Sequence, residues 1–164
     1  MRRQNGDYEG ATQTLKEALQ ICRNLGYKAG EANALHYLGA MRRQSGDYAG
    51  AAEALEEALG IYRDIGDPGG EAEALNEAGT LYRARGSLDQ AEAAHRAALA
   101  LARTIASTWD EAHALAGLGR RARAARRTAD ARAFLRQAQE AFREVDADEA
   151  AAIAAELSAL AEPE

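Results

Sequence analysis

Cysteine and proline are almost missing from this chain, and aromatic residues are few. Its 164 residues include one cysteine, two prolines and 5% aromatics. A lone thiol, Cys22, closes no internal disulfide, which fits a reducing cytoplasm. Pro68 and Pro163 leave long stretches without a helix breaker. No apolar run approaches the roughly 18 residues of a membrane span. The start, "MRRQNGDYEG", is basic but has no apolar segment behind it, so it does not read as a secretion signal. No stretch alternates apolar and polar residues as a half-buried strand does. Lysine is scarce beside arginine, and alanine is abundant, a bias typical of GC-rich bacterial genomes. The net charge of −6 argues against nucleic acid as the main partner.

What the chain does have is repetition. "MRRQNGDYEGA" at 1–11 recurs as "MRRQSGDYAGA" at 41–51, and residues 1–40 and 41–80 agree at 22 of 40 positions. Shifted by 40, Ala11, Ala51, Ala91 and Ala131 align, as do Ala18, Ala58, Ala98 and Ala138. Gly39, Gly79 and Gly119 form a third column, and Leu15, Leu55 and Leu135 a fourth in which His95 takes one place. A fixed period of this length is the mark of a stacked array, in which each unit buries its apolar face on its neighbours. Each period holds two helices. The first is predicted at 29–45, 69–85 and 109–125, the second at 8–25, 48–65, 88–105 and 128–145. Asp67 before Pro68 reads as an N-cap, and Thr108 with Glu111 as a capping box. Gly26 and Gly66 suit left-handed helix ends, and "NGDY" and "SGDY" suit tight turns.

These columns resemble the tetratricopeptide repeat. Leu38-Gly39, Gly46, Tyr48, Ala51, Leu55 and Ala58 match its pattern, as do Gly79, Tyr82, Gly86, Leu88, Ala91 and Ala98, and then Leu118-Gly119, Ala131, Leu135 and Ala138. Arg2 and Arg42 depart from it where an aromatic is expected, and so do Arg126 and Thr128 in the last copy. The 40-residue period is similar to the variant in kinesin light chains, spindle-orientation adaptors and large actinobacterial transcription regulators. The resemblance implies an all-α, right-handed helical-hairpin solenoid, a tetratricopeptide-like superhelix. The array is expected over 1–146, about three and a half repeats with the first truncated, followed by a closing helix and tail over 147–164. It also implies a non-enzymatic scaffold that binds a protein or peptide in a concave groove, as part of a larger regulatory protein.

The first helix of each pair would line that groove. Helical periodicity puts 32, 35, 38, 39 and 42 on the core side. Asn33, His36, Tyr37, Arg43 and Gln44 then face the groove, with Glu73, Asn76, Glu77, Thr80 and Arg83 in the next copy and His113, Arg120 and Arg123 in the third. Arg3, Arg43, Arg83 and Arg123 share one column. That column reads either as a rail for carboxylates or, more simply, as arginines capping helix C-termini. The family's clamp for C-terminal carboxylates needs asparagines where this chain has Tyr37, Glu77 and Gly117, so it is not carried over.

No metal ligand set and no phosphate-binding glycine loop is legible, and no cofactor is implied. His95 reads as a packed residue. Seven arginines between 120 and 136 offer nucleic-acid contact as an alternative, and a small ligand held by His36, Tyr37, Glu73 and Asn76 is another. Residues 1–5 match the tail of a first helix at 41–45, so the chain reads as a segment cut mid-hairpin. Incompletely covered Leu15, Leu19 and Cys22 then suggest self-association through residues 8–25.

Overall fold

The computed structural model describes residues 2–145 and 148–160, with side chains from Glu9 onward. The boundary at 146/147, the tail beyond 160 and the side chain of Arg3 lie outside the described residues. Every described element is a helix. In chain order they are α1 (Arg2–Leu25), α2 (Lys28–Ser45), α3 (Tyr48–Ile65), α4 (Pro68–Ala84), α5 (Leu88–Thr104), α6 (Thr108–Ala124), α7 (Thr128–Glu144) and α8 (Glu149–Ala159). The chain is an all-α helical-repeat solenoid. Each helix packs on the next, and α4 also touches α2 and α6. That shorter spacing makes the side of α2, α4 and α6 the inner one.

Local chemistry sets the helix ends. Gly26, Gly66 and Gly46 adopt φ of +66°, +69° and +87°, a left-handed conformation that costs glycine nothing. The Asp47 carboxylate accepts from Gly50 N–H and the Asp67 carboxylate from Gly70 N–H, each at 3.0 Å. Where the repeat has lost its glycine the turn is still left-handed. Ala106 sits at φ +54° and Arg126 at +59°, so the stacking of the hairpins overrides the local preference.

Two expectations need correcting. The capping box is not formed. Ser107 is the N-cap, its hydroxyl accepting from Asp110 N–H at 3.3 Å, and Thr108 is the first helical residue. Glu111 is drawn instead to Arg103 at 2.9 Å. The same latch closes earlier hairpins, Arg23 on Glu31 at 3.0 Å and Arg63 on Glu71 at 2.6 Å. It joins the last turn of one helix to the first turn of the next, where a cation and an anion respectively suit the helix dipoles.

The second correction concerns the first copy. Residues 2–25 form one continuous helix with no turn at Gly6. Among the described residues helix α1 packs chiefly on α2, and a continued helix satisfies backbone groups that a turn would leave to water. Leu19 is buried in the core, Leu15 and Cys22 are half-buried, and Ile21 and Leu25 are exposed.

The core depends on small residues. Ala51, Ala91 and Ala131 are fully buried, as are Ala58, Ala98 and Ala138. A methyl group added at Gly39 would stand 2.7 Å from Leu55 Cγ, and one at Gly119 equally close to Leu135 Cγ. Helix α8 closes the end, laying Ile153, Leu157 and Leu160 on the cluster around Phe142, Leu135 and Ala138.

Two urea-denaturation measurements check these points. Ala106→Gly should raise stability by about 1 kcal/mol, because it relieves a left-handed alanine. Ala51→Leu should lower it by about 1–3 kcal/mol through overpacking, and an unchanged midpoint would contradict the close approach at this column.

Candidate functional site

The inner faces of α4 and α6 enclose a cavity of about 210 Å³, reached by His36 from α2 and His95 from α5. Of the residues expected in the groove, His36, Glu73, Asn76, Glu77, Thr80, Arg83, His113 and Arg120 line it. Asn33, Tyr37, Arg43, Gln44 and Arg123 do not. Asn33 instead accepts a hydrogen bond from the Tyr62 hydroxyl at 2.7 Å. Tyr37 is exposed and stacks on His36, with ring centroids 5.2 Å apart. His36 itself lines the cavity but is largely buried, more so than its helical position suggested. The small-ligand set is therefore brought together in three of its four members.

His95, Trp109, Asp110 and Gly117 complete the lining. His95 occupies the leucine column and is 1% exposed, so it is packed as expected, yet it also walls the cavity. Room for the imidazole comes from glycines on both sides. A methyl group at Gly79 would fall 2.6 Å from the ring, and one at Gly117 would fall 2.2 Å from it. The sequence held a signal for this. Two departures from the repeat coincide, histidine for leucine at 95 and glycine at 117, where the column has Tyr37 and Glu77.

Hydrogen bonds fix the tautomer of His95. The Asn76 amide nitrogen donates to the Asp110 carbonyl at 3.2 Å, which turns its oxygen to His95 Nδ1 at 3.3 Å. That oxygen only accepts, so Nδ1 carries the hydrogen and Nε2 is a bare acceptor. Nε2 is buried and has no partner. Burial, and then the charges of Arg83 and Arg120, pull the His95 pKa down to about 4. Burial also lowers His36 and His113, although Glu77 opposes it at the first and Glu149 and Asp110 at the second. The cavity thus presents neutral imidazoles.

Charge is distributed unevenly along the cavity. Glu73, in the second turn of α4, has its pKa raised by burial and by the nearby Asp110 and Asp67. Arg83 lies in the last turn of α4 and Arg120 follows on α6. Arg43 is spent on Glu77, while Arg120 and Arg123 share Glu156 of α8. The described partners of Arg43 and Arg123 are carboxylates and not helix carbonyls. In the arginine-rich stretch, Arg121 pairs with Glu92 at 2.7 Å, Arg127 with Asp130 at 2.6 Å, and Arg132 donates to the Leu160 carbonyl. Little of that charge is left for phosphates.

Among the described residues no helix is long and apolar enough to cross a membrane. Residues 1–64 and 72–107 match models of the tetratricopeptide repeat. No curated protein matches the sequence. Among solved structures the chain is similar to BtubC (BKLC) from P. vanneervenii, with TM-score 0.80 and 19% identity over 93% of this chain and 65% of that one. It is also similar to a kinesin-light-chain-type protein of Podosopora anserina with nearly identical TPR-like repeats, with TM-score 0.71 and 17% identity over 96% of this chain and 79% of that one. At such identities the likeness is one of fold, and this chain spans less than two thirds of the first structure's length.

The buried imidazole makes stability depend on pH. Its folded pKa, about 4, lies below the roughly 6.5 of an exposed histidine. Between those values the unfolded chain binds a proton that the folded one does not, so stability falls as pH drops through that window. Thermal unfolding should show this loss, of which His95 supplies at most about 3 kcal/mol. His95→Leu should flatten the profile, and an equally steep profile in that variant would contradict the assignment.

Proposed function

Because the chain belongs to the tetratricopeptide repeat family, we propose that it is a non-enzymatic interaction module that docks a peptide or helix in its inner groove. It acts in the cytoplasm as part of a larger regulatory protein. The observation that carries this reading is the convergence of polar side chains from three successive inner helices on one cavity: His36 from α2, Asn76, Thr80 and Arg83 from α4, and His113 and Arg120 from α6. An extended or helical segment lying across these helices would meet an acidic end near Glu73 and a basic end near Arg83. Peptide recognition by a preformed groove needs such spaced polar contacts to set its register.

A small ligand in the same cavity is the second reading, favoured by the unpartnered Nε2 of His95. Nucleic-acid contact through 120–136 has less support, since five of the seven arginines are engaged with Glu156, Glu92, Asp130 and the Leu160 carbonyl. Self-association through residues 8–25 is a further part of the proposal, supported by the exposed Ile21 and Leu25 on α1.

A display library of random peptides selected against the full chain tests the docking reading. Enriched peptides should bind Thr80→Tyr, which fills the groove, at least about tenfold more weakly, a loss of roughly 1.4 kcal/mol. They should bind Glu56→Ala, altered on the exposed side of α3, as they bind the native chain. Equal binding to both variants, or no enrichment at all, would overturn the reading.

A further inference from the structure

We propose that Arg83, with Arg120 beside it and His95 on the same cavity wall, is a seat for one carboxylate, the side chain of an aspartate or glutamate in the docked peptide. The peptide comes from the docking reading above; the seat itself does not depend on it.

The arginine column is not uniform. Arg43 is paired with Glu77, while Arg120 and Arg123 share the single carboxylate of Glu156. Arg83 is half-buried and has no carboxylate partner among the described residues. A guanidinium cannot shed its proton, so burial without a counter-ion is costly. Burial, and then Arg120, Arg123 and Arg43, lower the Arg83 pKa, while Glu156 weakly opposes them. Arg43, Arg83, Arg120 and Arg123 thus meet only the carboxylates of Glu77 and Glu156, which leaves this end of the cavity with excess positive charge.

Arg120, beside the column on α6, shows how a guanidinium on this face takes a carboxylate. Glu156 of α8 lies across Arg120 in a two-point contact, receiving Nε at 3.0 Å and Nη2 at 2.7 Å. Arg83, on the preceding inner helix, has no such carboxylate among the described residues.

His95 supplies the second, independent observation. Its Nε2 is buried, unpartnered and on the cavity wall. The charged groups that act on it are Arg83 from α4 and Arg120 from α6, and both oppose its protonation. A carboxylate seated on Arg83 offsets the arginines' part of that opposition and raises the His95 midpoint, while burial, the larger cause, remains. Nε2 donates to the bound oxygen only once it is protonated, so the seat tightens as pH falls towards the His95 midpoint.

The acidic groups of the cavity do not block this end. Glu77 is held by Arg43, and Asp110 accepts the Ser107 hydroxyl at 2.6 Å. Glu73 lies ten residues before Arg83 on α4, about 15 Å along the helix. They do disfavour a bulkier, doubly charged phosphate. They also orient the peptide, its acidic residue towards Arg83 and a donor or cation towards Glu73.

The test is a titration of the 15N-labelled full chain with sodium acetate, at ionic strength held constant with sodium chloride. The Arg83 Nε–H and the His95 ring are followed by NMR. Both should shift saturably, and the His95 titration midpoint should rise by more than half a pH unit at saturation. Arg83→Gln, with helicity checked by circular dichroism, should abolish the response, and Arg96→Gln, on the outer helix α5, should preserve it. A linear response, an immobile His95, or the same response in Arg83→Gln would overturn the seat. Tighter binding of sodium phosphate than of acetate would overturn the carboxylate assignment. If Arg83→Gln fails to fold, the wild-type saturation and the His95 midpoint decide the matter alone. Acetate contains no peptide, so a null result here removes the seat without touching the docking reading. Failure of the peptide selection likewise leaves the acetate result standing.

Discussion

Close approach of helices at alanine and glycine columns is the constraint on which everything else depends. Ala51, Ala91 and Ala131 have no exposed surface, and the places of Gly39 and Gly119 are filled by leucines of the facing helix. Only residues this small let backbones come near enough for Leu55 and Leu135 to reach across. The period of 40 follows from that contact, because each hairpin must offer its neighbours the same surface to be buried. Left-handed turns at Ala106 and Arg126 show how strongly the stacking governs local conformation. The chain keeps the turn even where it has lost the residue best suited to it.

Ion pairs do a different task. Arg23–Glu31, Arg63–Glu71 and Arg103–Glu111 recur with the period and tie each outer helix to the inner helix that follows. Their arginines are largely exposed, so each pair contributes little stability and that little is screened by salt. Their value lies in fixing the angle of the hairpin. On the inner face the same residue types define a site instead. Glu77 and Glu156 engage Arg43, Arg120 and Arg123, and Arg83, which has no carboxylate partner among the described residues, falls at the cavity.

The third repeat is where the regular pattern gives way. Histidine replaces leucine at 95, glycine at 117 opens space for the ring, and Asn76 orients it through a bond to its Nδ1. These changes are mutually dependent. A ring of this size would clash with a side chain at 79 or 117, and without Asn76 its second nitrogen would also be unsatisfied. A packing column has thereby become part of a polar wall.

Much of the fold was legible in the sequence because repetition is a linear signal. A register of 40, the alanine and glycine columns and the helix-ending glycines fixed eight helices to within a residue or two, apart from the first. There the chain repeats the letters of a turn but forms a continuous helix, since the repeat supplies no packing to hold that turn open. Helical periodicity also placed most of the cavity-lining side chains of α4 and α6 on one face. It could not assign burial to His36, or show that Arg43 turns to Glu77 and away from the cavity. Nor could it place Glu156, 36 residues after Arg120, against the arginine column. Those outcomes depend on which side chains from separate helices meet, and on how charge divides among them once they do. Periodicity fixes which face a residue occupies, but only the packed structure decides which partner it finds there and which residue is left without one.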